Sequence, residues 1–301
     1  AKSAGANSAS LSIFWDEIET TPGSYKPDPN LLRIANQYYP SQDMRVSLVI
    51  SVLDTTQIRL PADLQGKSLH DPAVIRRFQA LLDYIASQIP DLQLASLGIG
   101  NEIDGVLGVD PAAWEAYQVF FQQAKAHAKS LWPEVPIGAK IQYSGLTGES
   151  AAYAASLNQM ADVVMVTYYP LRGDFTVQDP DVIHRDLKQL VRRYPDQRIY
   201  LAEIGYPTGE TNGSSPEKQA AFIRETFAAW DDHADQIPLL SYSWLTDLPS
   251  AAVSSFEDYY GVKHPAFASF LRTLGLRTYP GNGSDKAGFH TLVEETRVRD
   301  W

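Results

Sequence analysis

The chain has 301 residues, 44% of them apolar, a formal net charge of −11 and no cysteine. That charge repels a phosphate backbone, and no basic run or interleaved basic and aromatic stripe offsets it, so nucleic acid is set aside as a partner. Lacking cysteine, the chain has no disulfide, thiolate metal site or cysteine nucleophile, while the compartment stays open between secreted and cytoplasmic.

No stretch reaches the ~18 consecutive apolar residues of a membrane span. The opening AKSAGANSAS has neither the apolar middle of a signal peptide nor an initiating Met. The expectation is a soluble protein with no membrane partner and a processed or truncated N-terminus. A chain this long fits one large domain, residues 1–301, with its core over 11–274 and a C-terminal turn and helix over 275–301.

In chain order, strand-length apolar runs occur at LSIFW (Leu11 to Trp15), RVSLVISVL (Arg45 to Leu53), LQLASLGIG (Leu92 to Gly100), VPIGAKIQY (Val135 to Tyr143), DVVMVTYY (Asp162 to Tyr169), RIYLAEIG (Arg198 to Gly205) and PLLSYSWL (Pro238 to Leu245). Helix starts lie between them, where Asp71, Asp110, Asp179 and Ser215 each precede a proline suited to the first helical position. After Asp71, the residues Val74, Ile75, Phe78, Leu81, Leu82 and Ile85 mark one buried helical face. Further helices are expected from Ala266 to Leu274 and from Phe289 to Val298, separated by the Gly-rich turn PGNGSDKAG.

Near-continuous apolar strands alternating with helices predict an α/β fold with a parallel sheet covered by helices. No strand leads into G-x-G-x-x-G, which favours a TIM-type (β/α)₈ barrel over a dinucleotide-binding sheet. Only ten residues precede Leu11, too few for a complete strand–helix unit, so the first unit of the barrel is expected to be missing and seven strands are readable.

In such a barrel the C-terminal strand ends converge on one face, where the chemistry sits. Glu102, in LGIGNEID, and Glu203, in YLAEIG, both end strands there. Helix capping explains neither well: GVLGV separates Glu102 from the next helix, and a turn follows Glu203. Two carboxylates at one barrel mouth suit glycosidic cleavage, one giving a proton to the leaving oxygen and the other attacking the anomeric carbon or activating water.

In these segments the chain resembles the clan A retaining glycoside hydrolases. GNEID resembles their strand-four signature and YLAEIGYPT their strand-seven signature. LSIFWDEIETTPGSY is similar to the strand-two pattern W-x-x-[IL]-E-x-x-P-G-x-Y, DVVMVTYYP to strand six, and SYSWL to strand eight. GNEI and TYYP are locally most like the endo-β-1,4-galactanases.

The resemblance implies a retaining double displacement with no cofactor, acting on an oligo- or polysaccharide. Glu102 would be the acid/base and Glu203 the nucleophile, the two facing each other. Asn101 would bond the sugar 2-hydroxyl, Tyr168, preferred to Tyr169, would hold Glu203, Trp244 would floor the subsite, and Trp15 and Tyr143 would add wall. The arginine that many members carry near the nucleophile is absent from LSIFWDEIE. The alternative is a truncated, non-catalytic carbohydrate-binding barrel, dimerising through its open edge.

Other chemistry is set aside. The six histidines lack metal-ligand spacing, and Gln142 breaks the acid set that Asp54 and Glu102 would need for an enolase-like metal site, so no metal is expected. Lys140 is read as a solvent- or helix-facing lysine rather than a Schiff-base former. Asn212-Gly-Ser and Asn282-Gly-Ser are read as turns rather than glycan acceptors.

Overall fold

The computed structural model describes residues 1–279 and 283–301. They form two compact units, one of residues 7–167 and the other of residues 1–6 with 168–301. Of the expected Gly-rich turn, residues 280–282, Asn282 included, lie outside the described residues.

The unit of residues 7–167 is built on parallel strands. β1 (Ser8–Phe14), β2 (Arg45–Asp54), β4 (Leu94–Asn101) and β5 (Ile137–Gly138) lie in that order, and β3 (Gln57–Ile58) folds back antiparallel on the end of β2. β6 (Lys140–Gln142) pairs in parallel with β7 (Val164–Tyr168), Gln142 opposite Thr167. Val46, Leu48, Ile50 and Val52 of β2 are fully buried, and the intervening Val49 and Leu53 almost so. Both faces of the strand are therefore covered, the burial that parallel sheets require.

The expected run VPIGAKIQY forms two short strands, parted at Ala139. A Cβ on Gly138 would lie 2.5 Å from the Val163 carbonyl oxygen, so backbones meet here at a distance only glycine permits. Lys140 is fully buried, which corrects the solvent-facing reading.

The helices of this unit are α1 (Leu31–Ser41), α2 (Pro72–Gln88), α3 (Pro111–Leu131) and α4 (Ala151–Asn158). Asp71 and Asp110 cap α2 and α3 as expected, accepting from the N–H of Ala73 at 2.7 Å and Ala112 at 2.9 Å. On α2, Val74, Phe78, Leu81, Leu82 and Ile85 are fully buried, while Ile75 at the margin of that face is half-buried.

In the other unit β8 (Ile199–Ile204) pairs in parallel with β9 (Leu239–Tyr242). The helices are α5 (Val182–Arg193), α6 (Pro216–Asp231), α7 (Ser250–Tyr260), α8 (Pro265–Thr273) and α9 (Ala287–Val298). Ser215 caps α6 as expected, accepting from Lys218 N–H at 3.2 Å. Asp179 does not cap α5: its carbonyl accepts from Val182 N–H, so Pro180 and Asp181 form a turn before the helix. α7 lies outside the expected helices; it lacks a side-chain N-cap, and Val253, Phe256 and Tyr260 at helical spacing form the side that packs into an apolar cluster.

Among the described residues the ladder of β1 is with β2, and Ser10 and Ser12 on it are exposed. Among the described residues no helix is long and apolar enough to cross a membrane.

Candidate active site

The end of β4 turns sharply at GNE. Gly100 has φ +84°, and a Cβ there would lie 2.5 Å from Ile103 Cγ2, so glycine is required. Glu102 itself is left-handed at φ +45°, a conformation costing a non-glycine residue about 1–3 kcal/mol. This strained corner throws the glutamate out of the strand, and a short helical turn, Asp104–Leu107, follows.

Three side chains from three other strand ends reach the Glu102 carboxylate. Thr55 donates its hydroxyl to Oε2 at 2.8 Å, Gln142 its amide to Oε2 at 3.2 Å, and Thr167 its hydroxyl to Oε1 at 2.8 Å. Thr55 is also left-handed, at φ +50°, and its N–H donates to the Asn101 carbonyl at 2.9 Å. The carboxylate is thus fixed by donors whose own backbones belong to the sheet.

Asp104, two residues further on, is almost fully buried. Burial pushes its carboxyl up to about 7; the Gln142 N–H it accepts at 3.0 Å works against this, and the nearby Glu102 charge adds to it. A Cβ on Gly145 would come within 2.3 Å of Asp104 Oδ2, so glycine makes room for that carboxyl.

Asn101 donates from Nδ2 to Asp54 Oδ1 at 3.0 Å, and Asp54 Oδ1 also accepts from the Ser51 hydroxyl at 3.2 Å. The Asn101 side-chain oxygen is buried without a hydrogen-bond partner among the described residues.

In the other unit, β8 carries the half-buried Glu203, whose Oε2 accepts from the Tyr169 hydroxyl at 2.8 Å. This corrects the choice of Tyr168. Successive strand side chains point to opposite faces, and Tyr168 points to α5, its hydroxyl donating to the buried Asp186 at 2.8 Å. Gly205 leaves space beside Tyr169: an added Cβ would sit 2.9 Å from its ring. Trp244, joined to Ser243 by a cis peptide, stacks on Phe256 with centroids 5.9 Å apart, within an apolar cluster that includes Tyr169 and Phe270.

Tyr143 is half-buried at the start of the turn after β6. Trp15 is not placed to form a wall. It is fully buried, edge-on to Phe78, and donates from Nε1 to Glu19 Oε2 at 2.8 Å. Glu19, also fully buried, accepts from Gly23 N–H at 2.6 Å and pairs with Arg77 at 2.6 Å. The W-x-x-I-E-x-x-P-G stretch is therefore a self-bonded corner, its tryptophan and glutamate joined to each other.

Asn212 is fully buried and donates to the carbonyls of Phe175 and Ala266, which rules out a glycan there and agrees with its reading as a turn. Sequence reasoning did not anticipate Thr55, Thr167, Asp54 or Asp104 as partners at the β4 corner. Apart from their places near strand ends, nothing in the sequence singles them out.

No family model matches the chain, and no curated protein matches its sequence. Solved structures do match. The exo-beta-1,4-mannosidase Op5Man5 from Opitutaceae bacterium strain TAV5 has a TM-score of 0.77 at 18% identity, over 99% of this chain and 54% of that one. The Streptomyces cattleya GH5_18 protein in complex with Manβ1-4GlcNAc has 0.76 at 15%, over 98% and 72%. The Ignisphaera aggregans GH53 catalytic domain has 0.70 at 19%, over 98% and 86%. The chain spans about half the length of the mannosidase. Such matches speak to the fold, and the chain has the α/β TIM-type fold of the clan A glycoside hydrolases.

Proposed function

We propose that the chain is a glycoside hydrolase that cleaves a β-glycosidic bond in an oligo- or polysaccharide with retention. Glu203 attacks the anomeric carbon, and Glu102 gives its proton to the leaving oxygen. Glu102 then takes a proton from the water that displaces Glu203. Tyr169 holds the nucleophile's carboxylate, Asn101 bonds the sugar 2-hydroxyl, Trp244 floors the subsite, and Tyr143 extends its wall.

The observation that carries this reading is the triple grip on Glu102, a strained strand-end glutamate bonded by Thr55, Gln142 and Thr167. A helix cap needs no such arrangement, whereas an acid/base must be held in one direction. The names of the fold neighbours, one an exo-beta-1,4-mannosidase and one solved with Manβ1-4GlcNAc, support a β-linked sugar as substrate.

On chromogenic β-glycosides, Glu102→Gln and Glu203→Gln are each expected to lower turnover by about 10³-fold or more, and azide to rescue Glu102→Ala. Near-normal activity in either Gln variant overturns the assignment.

A second reading is favoured by one observation, the single-sided ladder of β1: a truncated barrel that binds sugar without turnover and dimerises through that edge. It predicts inactivity on the whole glycoside panel and a mass that rises with concentration. A monomer over a tenfold concentration range removes it.

A further inference from the structure

A side chain holds a carboxylate in one direction only when its own backbone is held. Of the donors that grip Glu102, Thr167 lies within β7, paired with β6. Gln142 is less secure. It is the last residue of β6, and the chain then leaves the sheet in the helical turn Tyr143–Thr147. On its other side β4 pairs with β5, Leu97 opposite Ile137 and Gly98 opposite Gly138, and no ladder joins β4 to β6 among the described residues. The Gln142 N–H therefore needs an acceptor from outside the regular ladders.

Asp104 supplies it. Its Oδ1 accepts from Gln142 N–H at 3.0 Å, while the Ile103 N–H donates to the Lys140 carbonyl at 3.1 Å. These two bonds lace the chain that follows Glu102 onto β6 as a paired strand would, with a carboxyl standing where a peptide carbonyl would be. The carboxyl has little freedom to move, because it is almost fully buried and fills the space that Gly145 leaves beside Oδ2. At the other end of Gln142, the side-chain oxygen accepts from the Ser144 hydroxyl at 3.3 Å, which turns the amide nitrogen to Glu102 Oε2 at 3.2 Å. One residue thus spans both acids, its backbone fixed by Asp104 and its amide bonded to Glu102.

We propose that Asp104 is a positioning residue for acid catalysis, fixing the Gln142 backbone so that the Gln142 amide keeps Glu102 aimed at the leaving oxygen. The proposal rests on the assignment of Glu102 as acid/base given under Proposed function. A misdirected acid is felt in proportion to the departing group's need for a proton: an alkoxide needs one, whereas a dinitrophenolate leaves without it.

The test compares kcat/KM on a dinitrophenyl β-glycoside and on an alkyl β-glycoside of the same sugar. The ratio of the first to the second is expected to rise roughly 10–100-fold in Asp104→Ala, and to return to within about threefold of the wild-type ratio in Asp104→Asn, which keeps the acceptor. A loss of packing alone would slow both substrates alike and leave the ratio unmoved. An unmoved ratio in Asp104→Ala, or a rise as large in Asp104→Asn, overturns the proposal. Should Asp104→Ala not fold, Gly145→Ala carries the same comparison, since its methyl would come within 2.3 Å of Oδ2 and push the carboxyl from its seat. The ratio must then rise as well, and an unmoved ratio overturns the proposal. A ratio unmoved by Glu102→Gln, or a wild type that cleaves no β-glycoside, instead refutes the catalytic reading beneath it.

Discussion

Tyr169 donates its phenolic hydrogen to Glu203 Oε2 at 2.8 Å, while its neighbour in sequence turns to the other face of the strand and bonds Asp186. Two adjacent tyrosines thus have separable tasks. A hydrogen bond to a charged group contributes about 1.5–3 kcal/mol, so Tyr169→Phe is expected to lower kcat/KM by roughly 10–100-fold with little change in stability. Tyr168→Phe is expected to leave kcat/KM within about threefold and to lower stability by about 1–2 kcal/mol, because the buried Asp186 loses a donor. Steady-state kinetics and urea unfolding of both variants check the division.

Asp104 makes stability depend on pH. Its carboxyl titrates near 3.8 when unfolded and is pushed up to about 7 when buried. Between these values the folded state binds more protons than the unfolded state, so the group's contribution is fully present below about pH 4 and is lost as pH rises toward 7. Asp104→Asn, which can still accept from Gln142 N–H, removes this titration. Its stability relative to the wild type is expected to rise by about 2–4 kcal/mol from pH 4 to 7.5 and then level off. Parallel stability curves across that range would refute the assignment.

Glu19 is fully buried, and Arg77 is the cation paired with it, at 2.6 Å. Removing one partner of such a pair leaves a charge buried without its counter-ion, so Arg77→Met is expected to cost about 2–4 kcal/mol in urea unfolding. Adding Glu19→Gln should return part of that loss, since an uncharged amide needs no counter-ion. Because Trp15 and Glu19 bond each other, KM on a chromogenic glycoside is expected to stay within about twofold in the folded fraction.

How much of this was legible depended on the kind of signal. Strand–helix alternation, the Asp-Pro and Ser-Pro caps of α2, α3 and α6 and the buried face of α2 rest on local chemistry, and the structure shows them. Glu102 and Glu203 stand out because a carboxylate at the end of an apolar strand is unusual on its own terms. Tyr168 and Tyr169 could not be separated in the same way, because at a strand tip a one-residue uncertainty in alternation exchanges the two faces. Asp179 misled because proline suits a turn as well as a first helical position, and the chain uses Asp179 and Pro180 for a turn. Trp15 misled because its motif states which residues belong together, and its indole turns out to serve Glu19. The grip on Glu102 by Thr55, Gln142 and Thr167 draws on segments 40 to 65 residues away. Such convergence is a property of the sheet and leaves no local mark.

Trapping the glycosyl-enzyme intermediate tests directly whether Glu203 is the nucleophile. The protein is incubated with an activated 2-deoxy-2-fluoro β-glycoside of the sugar it cleaves best, digested, and mapped by mass spectrometry. One glycosyl adduct is expected, on the peptide bearing Glu203, that turns over slowly to product of retained configuration. An adduct on Glu102 or elsewhere, or a product of inverted configuration, would contradict the assignment.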